Sequence, residues 1–126
     1  MELRSHLSRV RGLGASHEGT HHFWVQRISG IALVPLVIWF VLCASTVVGA
    51  DLATFKSWVG THYNPVLLIL LIVTMFHHAF LGLQVIIEDY VHGEAAKLTT
   101  LILVKFAVYL IGACAVFAVI RLTFGS

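Results

Sequence analysis

Residues 65–87 read PVLLILLIVTMFHHAFLGLQVII, 23 positions without an aspartate, glutamate, lysine or arginine. One α-helix of that length, rising about 1.5 Å per residue, crosses a hydrocarbon core about 30 Å thick. Two further apolar runs flank it, at residues 28–50, also uncharged, and 98–124, which holds Lys105 and Arg121. Helix is the required state, because lipid offers no partner to an unpaired peptide group and three segments cannot close a barrel. The sequence therefore predicts an all-α integral membrane protein of three transmembrane helices, at about 28–50, 65–88 and 98–124. A polar segment, residues 1–27, precedes the transmembrane domain, residues 28–126.

Composition says the same. Of 126 residues, 59% are hydrophobic and 11% charged. A soluble domain this small has too much exterior to hide that apolar surface. The formal net charge is +2 with no dense basic patch, which argues against nucleic-acid binding. Cys43 and Cys114 lie in separate apolar runs, form no CxxC or CxxCH, and are expected to be buried, inert thiols. The first 27 residues hold four arginines and no apolar stretch, so no cleavable signal peptide is read there.

The connections, about 51–64 and 88–97, are short, which makes successive spans antiparallel. Arg4, Arg9, Arg11 and Arg27 precede the first span, against Lys56 and Lys97 in the loops and Arg121 near the end. This excess places the N-terminus inside, the 88–97 loop on the same side, and the first loop and Ser126 outside. Pro35 is expected to kink the first helix, and Pro65 to open the second with Asn64 as its N-cap. Trp24, Trp39, Trp58, Tyr63 and Tyr90 mostly fall near span ends, where aromatic side chains anchor at the interface. Lys105 is expected to snorkel inward.

The second span carries the chemistry. His77 and His78 sit near mid-membrane, where ionisable groups are costly and mark function. An imidazole there binds a metal, relays protons or hydrogen-bonds a neighbouring helix. The two differ by about 100° of helix rotation, so one alone can face a given partner. His78 has Gly82 one turn on, which would let a planar macrocycle approach the backbone, and Thr74 one turn back, which would orient the other ring nitrogen. The plainer alternative is an interhelical hydrogen bond worth about 1 kcal/mol, and it is the favoured reading for His77. No other span contains a histidine, so a six-coordinate haem would need its second ligand from another chain. At the inner end of the same helix stand Glu88, Asp89 and Tyr90. A phenol beside a carboxylate can bond a carbonyl and pass protons to it, or it can simply belong to the aromatic belt. Before the first span, Thr20-His21-His22-Phe23-Trp24-Val25-Gln26-Arg27 ends on an arginine that could bind an anionic group or lipid phosphate.

Taken together, these pieces resemble a known family. The stretch from His78 through Gly82, Gln84 and Val85 to Asp89 and Tyr90 is similar to the signature of the smaller membrane-anchor subunit of succinate dehydrogenase, with Gly19-Thr20-His21-His22-Phe23 and Arg27 resembling its N-terminal motif. The resemblance implies that His78 is an axial ligand of haem b, that Tyr90 hydrogen-bonds ubiquinone with Asp89 beside it, and that Arg27 and His21 lie near the haem propionates. His22 stands where some relatives carry Asp, which leaves open which of His21 and His22 acts. The implied partners are membrane lipid, a cytochrome b556 subunit that supplies the second haem ligand, and the iron–sulfur and flavoprotein subunits that oxidise succinate. The lack of a transit-like, Ser/Arg-rich extension favours a bacterial inner membrane, with the mitochondrial inner membrane as alternative. Rival readings are the anchor of a fumarate reductase or other b-haem oxidoreductase, and a haem-free assembly protein.

Overall fold

The computed structural model describes residues 17–125, with side chains from Thr20 onward. The charges at Arg4, Arg9 and Arg11, and the chain end at Ser126, lie outside the described residues. Three long helices dominate: α1 (His17–Ala44), α3 (Asn64–Tyr90) and α4 (Glu94–Phe124), with a short α2 (Leu52–Gly60) in the first connection. Each long helix is long and apolar enough to cross a membrane, and no strand occurs among the described residues.

Helix ends differ from the predicted spans for local reasons. α1 is already helical at His17, the first described residue and well before the apolar run, and runs on through Gly19. It stops at Ala44 rather than 50. There the Ser45 and Thr46 hydroxyls donate to the carbonyls of Leu42 (2.7 Å) and Cys43 (2.6 Å), and the chain tightens into a 3₁₀ turn, Ser45–Val47. Serine and threonine compete in this way for backbone partners. Gly49 then adopts φ 80°, open to glycine at little cost, and the direction changes. α1 runs through Pro35 without interruption.

The connection read as a loop holds α2. Asp51 caps it by accepting a 3.0 Å hydrogen bond from the Thr54 amide. Pro65 does sit in the first turn of α3, but Asn64 is not its cap. Asn64 is already helical, and its Nδ2 donates to the Trp58 carbonyl (2.7 Å), tying α3 back to α2. His62, at φ 52°, makes the tight turn between them. α4 starts at Glu94, whose carboxylate complements the helix dipole, as does Arg121 in the last turn.

α3 is the middle element. It packs against α1 on one side and α4 on the other, while the backbones of α1 and α4 do not come within 8 Å of each other at any Cα pair. The three spans thus form a layer rather than a closed bundle. The best-buried cluster lies at the end where α2 tucks in: Val59, Leu68 and Val119, with Trp39, Trp58 and Leu122 around them. Elsewhere long apolar side chains such as Ile31, Val34, Phe106 and Leu110 are exposed on the chain's surface. Cys43 is half-buried and Cys114 exposed, so the expectation of two buried thiols does not hold for Cys114. Its helix packs on α3 with one face, and position 114 lies off that face.

Candidate functional site

His78 turns toward α1. Its Nδ1 lies 2.9 Å from Ser29 Oγ, and its Cε1 comes so near Gly30 that a Cβ there would stand 3.3 Å away. Ser29 is 7% exposed, and its hydroxyl donates to the Gln26 carbonyl at 3.0 Å. A serine hydroxyl has one hydrogen. With that hydrogen given to Gln26, the oxygen accepts from Nδ1–H of His78. Nε2 is then the nitrogen with a free lone pair, and among the described residues it makes no hydrogen bond.

Two expectations change here. Thr74 does not hold the ring; Ser29 does, from across the helix interface. The sequence carried a signal in the Ser29-Gly30 pair of the first run, since small residues let helices approach and hydroxyls bond across them. Gly82 also has a different neighbour from the one expected. The Gln26 Nε2 lies 3.9 Å from where a Cβ at 82 would be, so the end of an α1 side chain is what stands nearest this glycine.

His22, Gln26 and Ser29 share one face of α1, at helical spacing, opposite His78 and Gly82. His22 Nε2 and Gln26 Oε1 are buried without a hydrogen-bond partner among the described residues. An unpaired buried polar atom costs about 1–3 kcal/mol, so these two mark a place where a further polar group is due. His21, next in sequence, is exposed on the other side. The structure thus separates the adjacent histidines: His22 inward on the seam, His21 outward.

His77 is half-buried, beside Phe76, Phe80, Tyr109 and Gly112 in an apolar cleft between α3 and α4. Among the described residues it makes no side-chain hydrogen bond; the interhelical bond expected of it belongs to His78.

The other predicted residues lie on the outer surface. Tyr90 ends α3 at 76% exposure, and Asp89 beside it is exposed. Glu88 accepts from Gln84 Nε2 (3.0 Å), which leaves Asp89 as the carboxylate not tied to a neighbour on its own helix. Arg27 is exposed, its guanidinium 5.5 Å from the Phe23 ring centroid, a cation–π distance. A phenol this open has no wall around it, so a pocket at Tyr90 needs surfaces from outside the chain.

The donor set limits the chemistry. Among the described residues no group of three or more His, Cys, Asp or Glu could hold a metal ion. A bare cation needs several protein ligands. A lone imidazole with a free Nε2 and a fixed Nδ1–H suits an iron whose other positions are already filled by a porphyrin.

Comparison with known proteins places the whole chain, rather than any one residue, among membrane subunits. The family described as succinate dehydrogenase/fumarate reductase transmembrane subunit matches residues 1–114. The succinate dehydrogenase hydrophobic membrane anchor subunit of Rickettsia conorii is 28% identical over 105 residues, 82% of this chain and 83% of that protein. The protein of the same name from Paracoccus denitrificans is 29% identical over 117 residues, 93% and 90% of the two chains. The succinate dehydrogenase membrane anchor subunit of Reclinomonas americana is 29% identical over 91 residues, 69% and 75%. No solved structure shows a significant match.

Proposed function

The chain belongs to the succinate dehydrogenase/fumarate reductase transmembrane subunit family, and on that premise we propose that it anchors a succinate:quinone oxidoreductase, lends His78 to a haem b and lines a ubiquinone site. The haem reading is carried by one observation: Ser29 Oγ, which donates to the Gln26 carbonyl, lies 2.9 Å from His78 Nδ1, an arrangement that supports a proton on Nδ1 and a free lone pair on Nε2. A cytochrome b556 subunit would supply the other protein ligand, since the apolar stretches 28–50 and 98–124 of this chain contain no histidine. When bound, the haem adds a one-electron redox centre to the hydrocarbon region.

This chain's residues do the rest. Arg27, exposed near the membrane surface, pairs with a haem propionate, and His21 works in the same neighbourhood. Tyr90 donates its O–H to a carbonyl oxygen of the quinone. Reduction to quinol takes two electrons from the docked iron–sulfur subunit and two protons, for which Asp89, open to water, is the nearest relay. The N-terminus and the Val91–Gly93 turn face the interior, where the iron–sulfur and flavoprotein subunits dock. The exposed apolar side chains of the three spans meet lipid and the partner membrane subunit in a bacterial inner membrane.

The test is the visible spectrum of the purified complex. With His78→Ala, the haem bands and midpoint potential should change, or the haem should be lost. An unaltered spectrum and potential would remove His78 from the iron. A wild-type complex without haem bands would favour a purely structural anchor.

A further inference from the structure

Ser29 is the unassigned residue with the most direct line to the site. We infer that Ser29 is a positioning residue for the iron ligand: it sets the tautomer and ring plane of His78 and thereby tunes the potential of the bound haem. The inference rests on the proposed ligation by His78.

Three observations carry it. Among the described residues Ser29 is the one polar residue in the buried set, although it lies in an apolar span. Its hydroxyl connects the Gln26 carbonyl (3.0 Å) to His78 Nδ1 (2.9 Å), so a single hydrogen-bond chain runs from the α1 backbone to the imidazole. Gly30, the next residue, brings the α1 backbone against the same edge of the ring, with Cε1 3.3 Å and Nδ1 3.9 Å from the position of an added Cβ. Hydroxyl and bare backbone together hold one edge of the ring, which limits its rotation about χ2. The other nitrogen is then presented in a fixed direction.

The electronic consequence follows. A ligand imidazole whose far N–H is hydrogen-bonded is a stronger base toward its metal. Here the acceptor is polarised further, because the same hydroxyl donates onward to a carbonyl. A more basic imidazole favours the more highly charged ferric state. Removing the acceptor favours the ferrous state. The same removal would leave Nδ1–H unpaired and free either tautomer, so the ring would lose its orientation as well.

The experiment uses the assembled complex, with Ser29→Ala, Ser29→Thr and Ser29→Cys, and reads the haem by redox titration and low-temperature EPR. Ser29→Ala should raise the ferrous-to-ferric ratio at fixed potential by roughly tenfold, about 59 mV for a one-electron couple, and broaden or shift the low-spin signal. Ser29→Thr keeps the hydroxyl and should restore the wild-type potential. If Ser29→Ala prevents assembly, Ser29→Cys keeps the volume with a poor acceptor and should shift the potential upward. A haem that depends on His78 but shows the wild-type potential and EPR signal in Ser29→Ala, or in Ser29→Cys where Ala does not assemble, overturns this inference alone. A haem indifferent to His78→Ala, or no haem at all, overturns the ligation and this inference with it.

Discussion

Tyr90 and Ser29 stand at opposite limits of exposure, 76% and 7%, and their side-chain oxygens are suited to different work. The Tyr90 hydroxyl bonds nothing among the described residues, so it contributes little to folding and stays available to a ligand. Tyr90→Phe removes only that oxygen. Stability should stay within about 0.5 kcal/mol, the usual range for a surface change. Succinate:quinone reductase activity with the natural quinone should fall by about tenfold or more, as expected for losing about 1.4 kcal/mol of transition-state binding. Succinate oxidation with a soluble acceptor should hold at the wild-type rate. Equal quinone reductase rates in the two proteins would take Tyr90 out of the site. Ser29 is different because its oxygen is spent inside the chain. In a membrane such an interhelical bond is worth about 1 kcal/mol.

Among the elements, α2 was the one the sequence reading left as a loop. Its nine residues are fewer than a membrane span needs, and the cap that starts it is a single carboxylate. The Thr54 hydrogen bonds, side chain first and backbone second, hold the Asp51 carboxyl below the ordinary aspartate range. Because the folded value is the lower one, the cap is fully in place above the unfolded value and is lost as pH falls through the folded value. Amide hydrogen exchange at Thr54, corrected for intrinsic rate, should therefore quicken only under acid conditions below the ordinary aspartate range. Asp51→Ala should show fast exchange at all pH values, and Asp51→Asn, which still caps, should show little pH dependence. Protection at Thr54 that ignores the Ala change would discount the cap. The long helices need no such device, since burial in lipid forces their backbones to pair internally.

At the scale of the whole chain, the described residues form a layer of three helices with α3 in the middle, covered at one end by α2 and otherwise open on its broad faces. Only nine side chains in the described part count as buried. Between helices in lipid the hydrophobic effect does little, so packing and polar contacts must hold them, and here both are sparse. The chain expressed without its partner subunits should accumulate poorly and be degraded faster than the assembled complex, as pulse-chase labelling would show. A lone chain as long-lived as the complex would mean the layer is self-sufficient. What the sequence determined alone was the number of spans, their approximate limits and the positions of His78 and Tyr90 along the second of them, because hydropathy and a 1.5 Å rise per residue depend only on local composition. It also carried the His78–Gly82–Gln84–Asp89–Tyr90 spacing on which the resemblance rests. The tertiary structure decided the partners: Ser29 rather than Thr74 beside His78, Gln26 opposite Gly82, and His22 rather than His21 on the seam. Those choices depend on the rotation and offset of α1 against α3. That offset is fixed by where small residues let two backbones approach, and neither helix contains it by itself.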